Sequence, residues 1–300
     1  MTYPALSLDP ASTRHVSFSR VEKTYLSFFA TGDLNVQAHG RKTRAVVSTT
    51  HPAMLEHVLD TFGPYRRNYL YPATNPSGYG WRLACDLPTE FEFLRTKALV
   101  APEILPSSSK EFVEGLSGFG DAEGHVGLSR SGKWARGRFK VSNRAPHIIW
   151  SFNEGLGSMG FRSRVYVSTK NGASQYELEI TGDDAIVRLP MLRLRHPEKV
   201  AAKQLVLRYH GSPWGRAEKA YQGFRDRITR QRDEFVKLAE IAYKIWPLRK
   251  AQRDDRLKRR VSEANTMRTN GFEIRRIVEL LGCSERTVYR YLAAVQSNTS

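Results

Sequence analysis

Two cysteines in 300 residues, Cys85 and Cys283, are too few for a disulfide framework or a cysteine-based zinc site, and their settings suit small core residues. No apolar run approaches the roughly 20 residues that a membrane-spanning helix needs. The N-terminus, with Pro4, Asp9 and Pro10, has no apolar signal-peptide core. The expectation is a cytoplasmic chain with no membrane role. Acidic charge is scarce as well: 30 Asp and Glu stand against 47 Lys and Arg, a formal net charge of +17. Such a surplus points to a polyanionic partner, and nucleic acid is a better candidate than an anionic membrane surface. Disorder is excluded by the 40% hydrophobic content, enough for one large or two moderate cores.

What is present is organised around Leu116-Ser117-Gly118-Phe119-Gly120-Asp121-Ala122-Glu123-Gly124. Read as a helix, this stretch puts Gly115, Gly118 and Ala122 at spacings of three and four, so one face is nearly bare backbone and a second helix can come close. Asp121 and Glu123 stand at its C-terminal end, where the helix dipole disfavours negative charge unless a cation arrives. The nine residues resemble the LAGLIDADG motif, with Leu116, Gly118, Asp121, Ala122 and Gly124 identical and Glu123 a conservative change. The resemblance implies two such helices packed through their small residues. It also implies that the last acid of each holds a divalent metal, Mg²⁺ or Mn²⁺, against a DNA phosphate, while the first acid supports the helix cap. Glu123 is then one metal ligand and Asp121 is structural.

A second, degraded copy runs from Tyr25 to Leu34 and lays Asp33 opposite Glu123. In it Thr31 replaces the first acid, Leu34 replaces the final Gly, and bulky Phe28 falls where a small residue is expected. The two halves agree beyond the motif. Each helix leads into two strand-like runs, Leu34 to His39 with Arg44 to Thr49, and His125 to Ser129 with Arg138 to Asn143. Val47-Ser48-Thr49-Thr50-His51-Pro52 answers Val141-Ser142-Asn143-Arg144-Ala145-Pro146, and each Pro opens an amphipathic helix, 52–62 and 146–156. Trp81–Cys85 answers Tyr176–Ile180 as a further strand. The fold expected is α+β: a pseudo-twofold pair of αββαββα repeats forming a β-saddle, followed by an all-α helix-turn-helix domain.

The divisions are an N-terminal arm at 1–20, repeats at 21–100 and 111–195, and a linker at 101–110 in which Ser109 could cap the central helix. A helical extension at 196–247 and a DNA-binding domain at 248–300 complete the chain. The arm could contact phosphates through Arg14 and Arg20 or be a plain lead-in. Arg41, Lys42 and Arg44 in the first β-ribbon, and Arg130, Lys133, Arg136, Arg138 and Lys140 in the second, suit the major groove and its flanking phosphates. Residues 129–140 hold five basic and no acidic side chains.

In the extension, helices are expected at 196–210 and 216–246, the second with a packing stripe of Phe224, Ile228, Phe235, Leu238, Ala242 and Ile245. Further helices are expected at 261–269, 272–281 and from Glu285. The last pair, joined by Gly282-Cys283-Ser284, resembles a helix-turn-helix of the resolvase and homeodomain-like kind. Arg286, Thr287, Tyr289 and Arg290 then face outward to DNA, with Tyr291 beside the backbone; a protein-binding three-helix bundle is the alternative.

The activity implied is metal-dependent hydrolysis of both strands of double-stranded DNA by a monomeric homing endonuclease. Asp33 and Glu123 are the metal ligands, and Arg144 and His51 are the auxiliary catalytic residues. Two alternatives share the architecture: a catalytically silent transcription regulator, and a maturase that binds intron RNA.

Overall fold

The computed structural model of the chain describes residues 17–65, 68–75, 78–96, 109–170 and 172–296. The expected arm therefore lies outside the described residues up to position 16, and the linker up to position 108. The chain divides into two compact units, 1–239 and 240–300.

The first unit is built twice from the same parts. Helix α1 (Arg20–Gly32) leads into β1 (Asn35–His39), β2 (Lys42–Thr49), α2 (Pro52–Phe62), β3 (Asn68–Asn75) and β4 (Gly78–Leu87). Helix α3 (Ser109–Glu123) leads into β5 (Gly124–Ser131), β6 (Trp134–Asn143), α4 (Pro146–Ser158), β7 (Arg164–Lys170) and β8 (Ala173–Thr181). Both sheets are antiparallel, and their orders, β1-β2-β4-β3 and β5-β6-β8-β7, are the same. The likeness reaches single hydrogen bonds. Thr49 Oγ1 accepts from the His51 amide at 2.9 Å, and Asn143 Oδ1 accepts from the Ala145 amide at 2.9 Å. Each short side chain thus turns the chain out of its strand so that Pro52 or Pro146 can start the next helix. The halves differ at their ends. The first closes on a 3₁₀ helix, Thr89–Thr96, instead of the α-helix expected, while the second closes on α5 (Gly182–Arg188).

Alternation along the strands sends one face of each sheet to the helices. Ala45, Val47, Leu83, Cys85 and Leu87 join Tyr25, Phe29, Val58 and Phe62 in one core. Val126, Leu128, Phe139, Val141, Leu178 and Ile180 join Leu116, Phe119, Ile149 and Phe152 in the other. Helices α1 and α3 are the seam. A side chain at Gly118 would overlap the Tyr25 carbonyl oxygen, and one at Gly32 would overlap the Ala122 methyl. Phe28, the bulky departure from the motif, is accommodated by Gly115, where an added Cβ would lie 2.9 Å from Phe28 Cδ2. Its ring then enters the core of the other half, 5.1 Å from the Phe152 ring. Arg20 pairs with Glu111 across this seam at 3.2 Å while its side chain stays 68% exposed.

Helix α6 (Pro197–Tyr209) packs on the second half, and α7 runs unbroken from Trp214 to Thr269. The break expected after Trp246 does not occur: Pro247 lies inside the helix on an exposed stretch, where solvent can take the carbonyl that the ring leaves unbonded. Phe224 and Phe235 of the expected stripe do pack on the cores, whereas Leu238 and Ile245 are 48% and 37% exposed.

In the second unit the end of α7, α8 (Ile274–Leu281) and α9 (Glu285–Gln296) enclose Ala264, Ile277, Leu281, Val288 and Tyr291. Gly282 adopts the left-handed conformation that ends α8, and Ser284 Oγ accepts the Thr287 amide at the start of α9. Phe272 stays outside α8, and Tyr291 is buried, so its expected place beside a DNA backbone is corrected to the core. Arg286, Tyr289 and Arg290 are exposed and Thr287 is half-buried.

Candidate active site

The two motif helices end together. Asp33 is the residue at which α1 stops, and Glu123 is the last residue of α3. An added Cβ on Gly32 would stand 3.3 Å from Glu123 Oε1, so the Glu123 side chain lies against the residue that precedes Asp33. Burial, and then the charge of Asp33, push the Glu123 carboxyl up to about 7, and Lys199 pulls the other way. Asp33 is raised too, by the protein packed around its carboxylate and against the pull of Lys199 and His51. The residue itself opens to solvent, which argues for a smaller shift than at Glu123.

Lys199, on α6, is the residue that sequence reasoning missed. Its ammonium donates to the backbone oxygens of Gly120 (2.9 Å), Asp121 and Ala122 (3.0 Å). It thus satisfies three carbonyls left open where α3 ends and opposes the negative end of the helix dipole beside two acids. Burial lowers its pKa to about 8, while Asp121, Asp33 and Glu123 hold it up. A lysine in a helix without a motif carries no signal in sequence; only the packing of α6 against β5 brings it here.

Asp121 is fully buried, where it anchors the chain that leads into α6. It accepts from the Tyr25 hydroxyl at 2.6 Å, the Arg195 amide at 2.7 Å and the His196 amide at 3.1 Å. Burial pushes its pKa up, and these hydrogen bonds oppose the push. The same tyrosine oxygen lies 3.2 Å from His57 Nε2, and burial holds His57 (about 4) and His196 (about 3) neutral.

Beside Asp33 opens a cleft of about 360 Å³, lined by Thr49, Thr50, His51, Met54, Ala122, His196, Glu198 and Lys199 among others. His51 Nδ1 is 3.8 Å from Glu198 Oε1. Of the two auxiliary candidates the structure thus brings His51 to Asp33. Arg144 sits exposed at the matching turn after β6 and does not line this cleft.

The ribbons are less free than their sequence suggests. Arg44 donates to buried Asp86 at 2.7 Å, and that bond raises its pKa. Arg136 meets Asp183 at 2.8 Å, Arg138 meets Glu179 at 3.6 Å, and Lys140 meets Glu177 and Glu179. These acids come from β8 and α5, outside the stretch whose charge looked uniform; strand pairing sets Lys140 against Glu179. Arg41, Arg130 and Lys133 are exposed, and Lys42 is half-buried with its carbonyl taken by Arg95.

No protein-family model matches the sequence, and no curated protein matches it. Solved structures similar to it include mesophilic variants of the homing endonuclease I-DmoI, at 16% identity over 62% of this chain and 98% of that one, with a TM-score of 0.40. I-DmoI in complex with DNA and Ca shares 15% identity over 62% and 97%, with a TM-score of 0.41. The homing endonuclease I-WcaI bound to its DNA recognition sequence shares 14% over 62% and 88%, with a TM-score of 0.41. So distant a likeness assigns no residue a role.

Proposed function

We propose that the chain is a site-specific DNA endonuclease of the LAGLIDADG homing type, cutting both strands by metal-dependent phosphodiester hydrolysis. It works as a monomer, since one chain supplies both acids. The observation that carries the proposal is the meeting of Asp33 and Glu123 at the ends of two interlocked helices, with Glu123 pushed to about 7. Crowding two carboxylates is unfavourable unless a cation joins them, and an all-oxygen pair suits Mg²⁺ or Mn²⁺. Among the described residues no group of three or more His, Cys, Asp or Glu side chains could hold a metal. The nearby α3 carbonyls already accept from Lys199. The remaining ligands are then water and the phosphates of bound DNA, so the site fits a cation completed by its substrate. When bound, such a metal offsets the charge that develops on the phosphoryl group.

The protein's own contribution is positional. Asp33 and Glu123 hold the cation, Lys199 fixes the α3 terminus, and His51, with Glu198 3.8 Å away, stands at the cleft where it can relay a proton through water. Arg144 and the exposed ribbon residues Arg41, Arg130 and Lys133 steady the flanking phosphates. The second unit adds a DNA reader through Arg286, Thr287, Tyr289 and Arg290. The test is incubation with the host locus lacking any insertion, with and without Mg²⁺. Cleavage of both strands only with metal is expected, and Asp33→Asn or Glu123→Gln should abolish it while leaving DNA binding near wild type. Wild-type cleavage by either variant removes that residue from the site.

A second reading, a DNA-binding regulator without cleavage, is favoured by one feature: the Lys199 ammonium already offsets charge at the acid pair. Metal-independent binding with no cutting would select it. Preference for intron RNA over duplex would select the maturase.

A further inference from the structure

The face of the second sheet that turns away from its core presents His125, Gly127, Arg138 and Lys140, paired in register as His125 with Lys140 and Gly127 with Arg138. Under the proposed function this face takes DNA. Part of it, at Gly127, is already covered. Helix α6 lies on the core side, where an added Cβ on Gly137 would stand 2.9 Å from Val206 Cγ1. The chain then runs beside the start of β6, with Ala135 N donating to Ser212 O at 2.9 Å and Trp214 N to Lys133 O at 2.8 Å. That crossing leads into α7, whose start keeps Trp214 and Ala217 against the core.

Ala217 is still buried with the core cluster, but one turn on, Tyr221 reaches the other face, where its Oη lies 3.2 Å from His125 Nε2. A Cβ at position 127 would overlap the Tyr221 hydroxyl, which thus fills space that glycine leaves open. Phe235, about 21 Å further along the helix at 1.5 Å per residue, reaches the first half. Its carbonyl accepts from Trp81 Nε1 at 3.1 Å and its ring packs 5.8 Å from the indole. Both anchors flank the acid pair. His125 follows Glu123 by two residues, and Trp81 is in register with Thr49, which lines the cleft beside Asp33.

We propose that residues 214–239 of α7 form an intramolecular strap over the DNA-facing side of the second sheet, which a duplex must displace to reach Asp33 and Glu123. The inference rests on the nucleic-acid reading of that face. Apparent affinity is then reduced by the fraction of molecules in the strapped state.

The test uses the full chain carrying Tyr221→Ala and Phe235→Ala together, with Tyr221→Phe as the variant that keeps the ring. A fluorescent mixed-sequence duplex is titrated across a salt series while melting is recorded. The double variant is expected to bind about tenfold more tightly, a shift of about 1.4 kcal/mol, and Tyr221→Phe to stay near wild type. Hydroxyl-radical footprinting of the wild type supplies a second readout that needs no variant to fold. Duplex should make Tyr221 and Phe235 more reactive. Protection of those residues by duplex would show α7 to be part of the DNA-contacting surface and overturn the strap, as would a folded double variant that binds no more tightly than wild type. If wild type and variant alike fail to bind duplex at low salt, the nucleic-acid reading falls, and the strap with it.

Discussion

A carboxylate raised to about 7 by burial and by a neighbouring acid, as Glu123 is, weakens folding once it ionises. Its folded pKa lies above its ordinary value of 4.5, so the native state holds the proton more tightly across that interval. The contribution to stability is therefore full below about pH 4.5 and is lost as pH rises through about 7. Without metal, Glu123→Gln is expected to melt higher than wild type at pH 8 and alongside it at pH 4. Equal melting at both pH values would show that neither burial nor Asp33 penalises the ionised carboxylate. Lys199 is the counterweight. Lys199→Met leaves three carbonyls without their donor at a helix end, and a loss of about 3 kcal/mol is expected from hydrogen bonds to a charged group, measured by urea unfolding. A loss below about 1 kcal/mol would mean that water replaces the ammonium freely.

At the scale of elements the seam between α1 and α3 makes the sharpest demand. Gly118 faces backbone, which cannot yield, so Gly118→Ala already forces the helices apart and Gly118→Leu should give no soluble folded protein. Gly115 faces the Phe28 ring, which can be cut back. Gly115→Ala is expected to cost about 1–3 kcal/mol as overpacking, and Phe28→Leu should recover part of that cost in a double-mutant cycle. Independent, additive effects would mean that the two residues do not share the space. This pair also shows what the sequence discloses. The repeat, both proline-started helices and the acids at the helix ends were legible because each rests on local spacing. That Phe28 is answered by Gly115 on the other helix was not, since neither residue's neighbours in sequence reveal the compensation. The ribbon charges misled for the same reason: Arg136, Arg138 and Lys140 look unopposed until strand pairing and the turn into α5 bring Glu177, Glu179 and Asp183 against them. Lys199 and Glu198, in a helix with no motif, became visible only as neighbours of Asp33.

For the whole molecule, the surplus of +17 does not fall evenly on the residues that could meet DNA. In the first unit Arg44, Arg136, Arg138 and Lys140 face acids, leaving Arg130 and Lys133 exposed at the tip of the second ribbon. In the second unit Arg286 and Arg290 are exposed on α9, the helix whose start a helix-turn-helix would direct at base edges. These two groups should therefore fail in different ways. Replacing Arg130 and Lys133 together by Ala removes charge and leaves base recognition intact. Affinity should fall alike on target and scrambled duplex, with the slope of log K against log salt shallower by about 0.9 for each phosphate no longer neutralised. Arg286→Ala, if that side chain reads a base, should cost about 1–3 kcal/mol on the target sequence and little on scrambled DNA. If the chain cuts DNA as proposed, neither change touches Asp33 or Glu123, so the bond cut should stay the same while the protein concentration needed to cut it rises. Binding across a salt series on both duplexes, with the cleavage position mapped on the target, separates these outcomes. Equal weakening on both duplexes for Arg286→Ala would assign that arginine to a phosphate, and unchanged binding on both would turn α9 from DNA toward a protein partner.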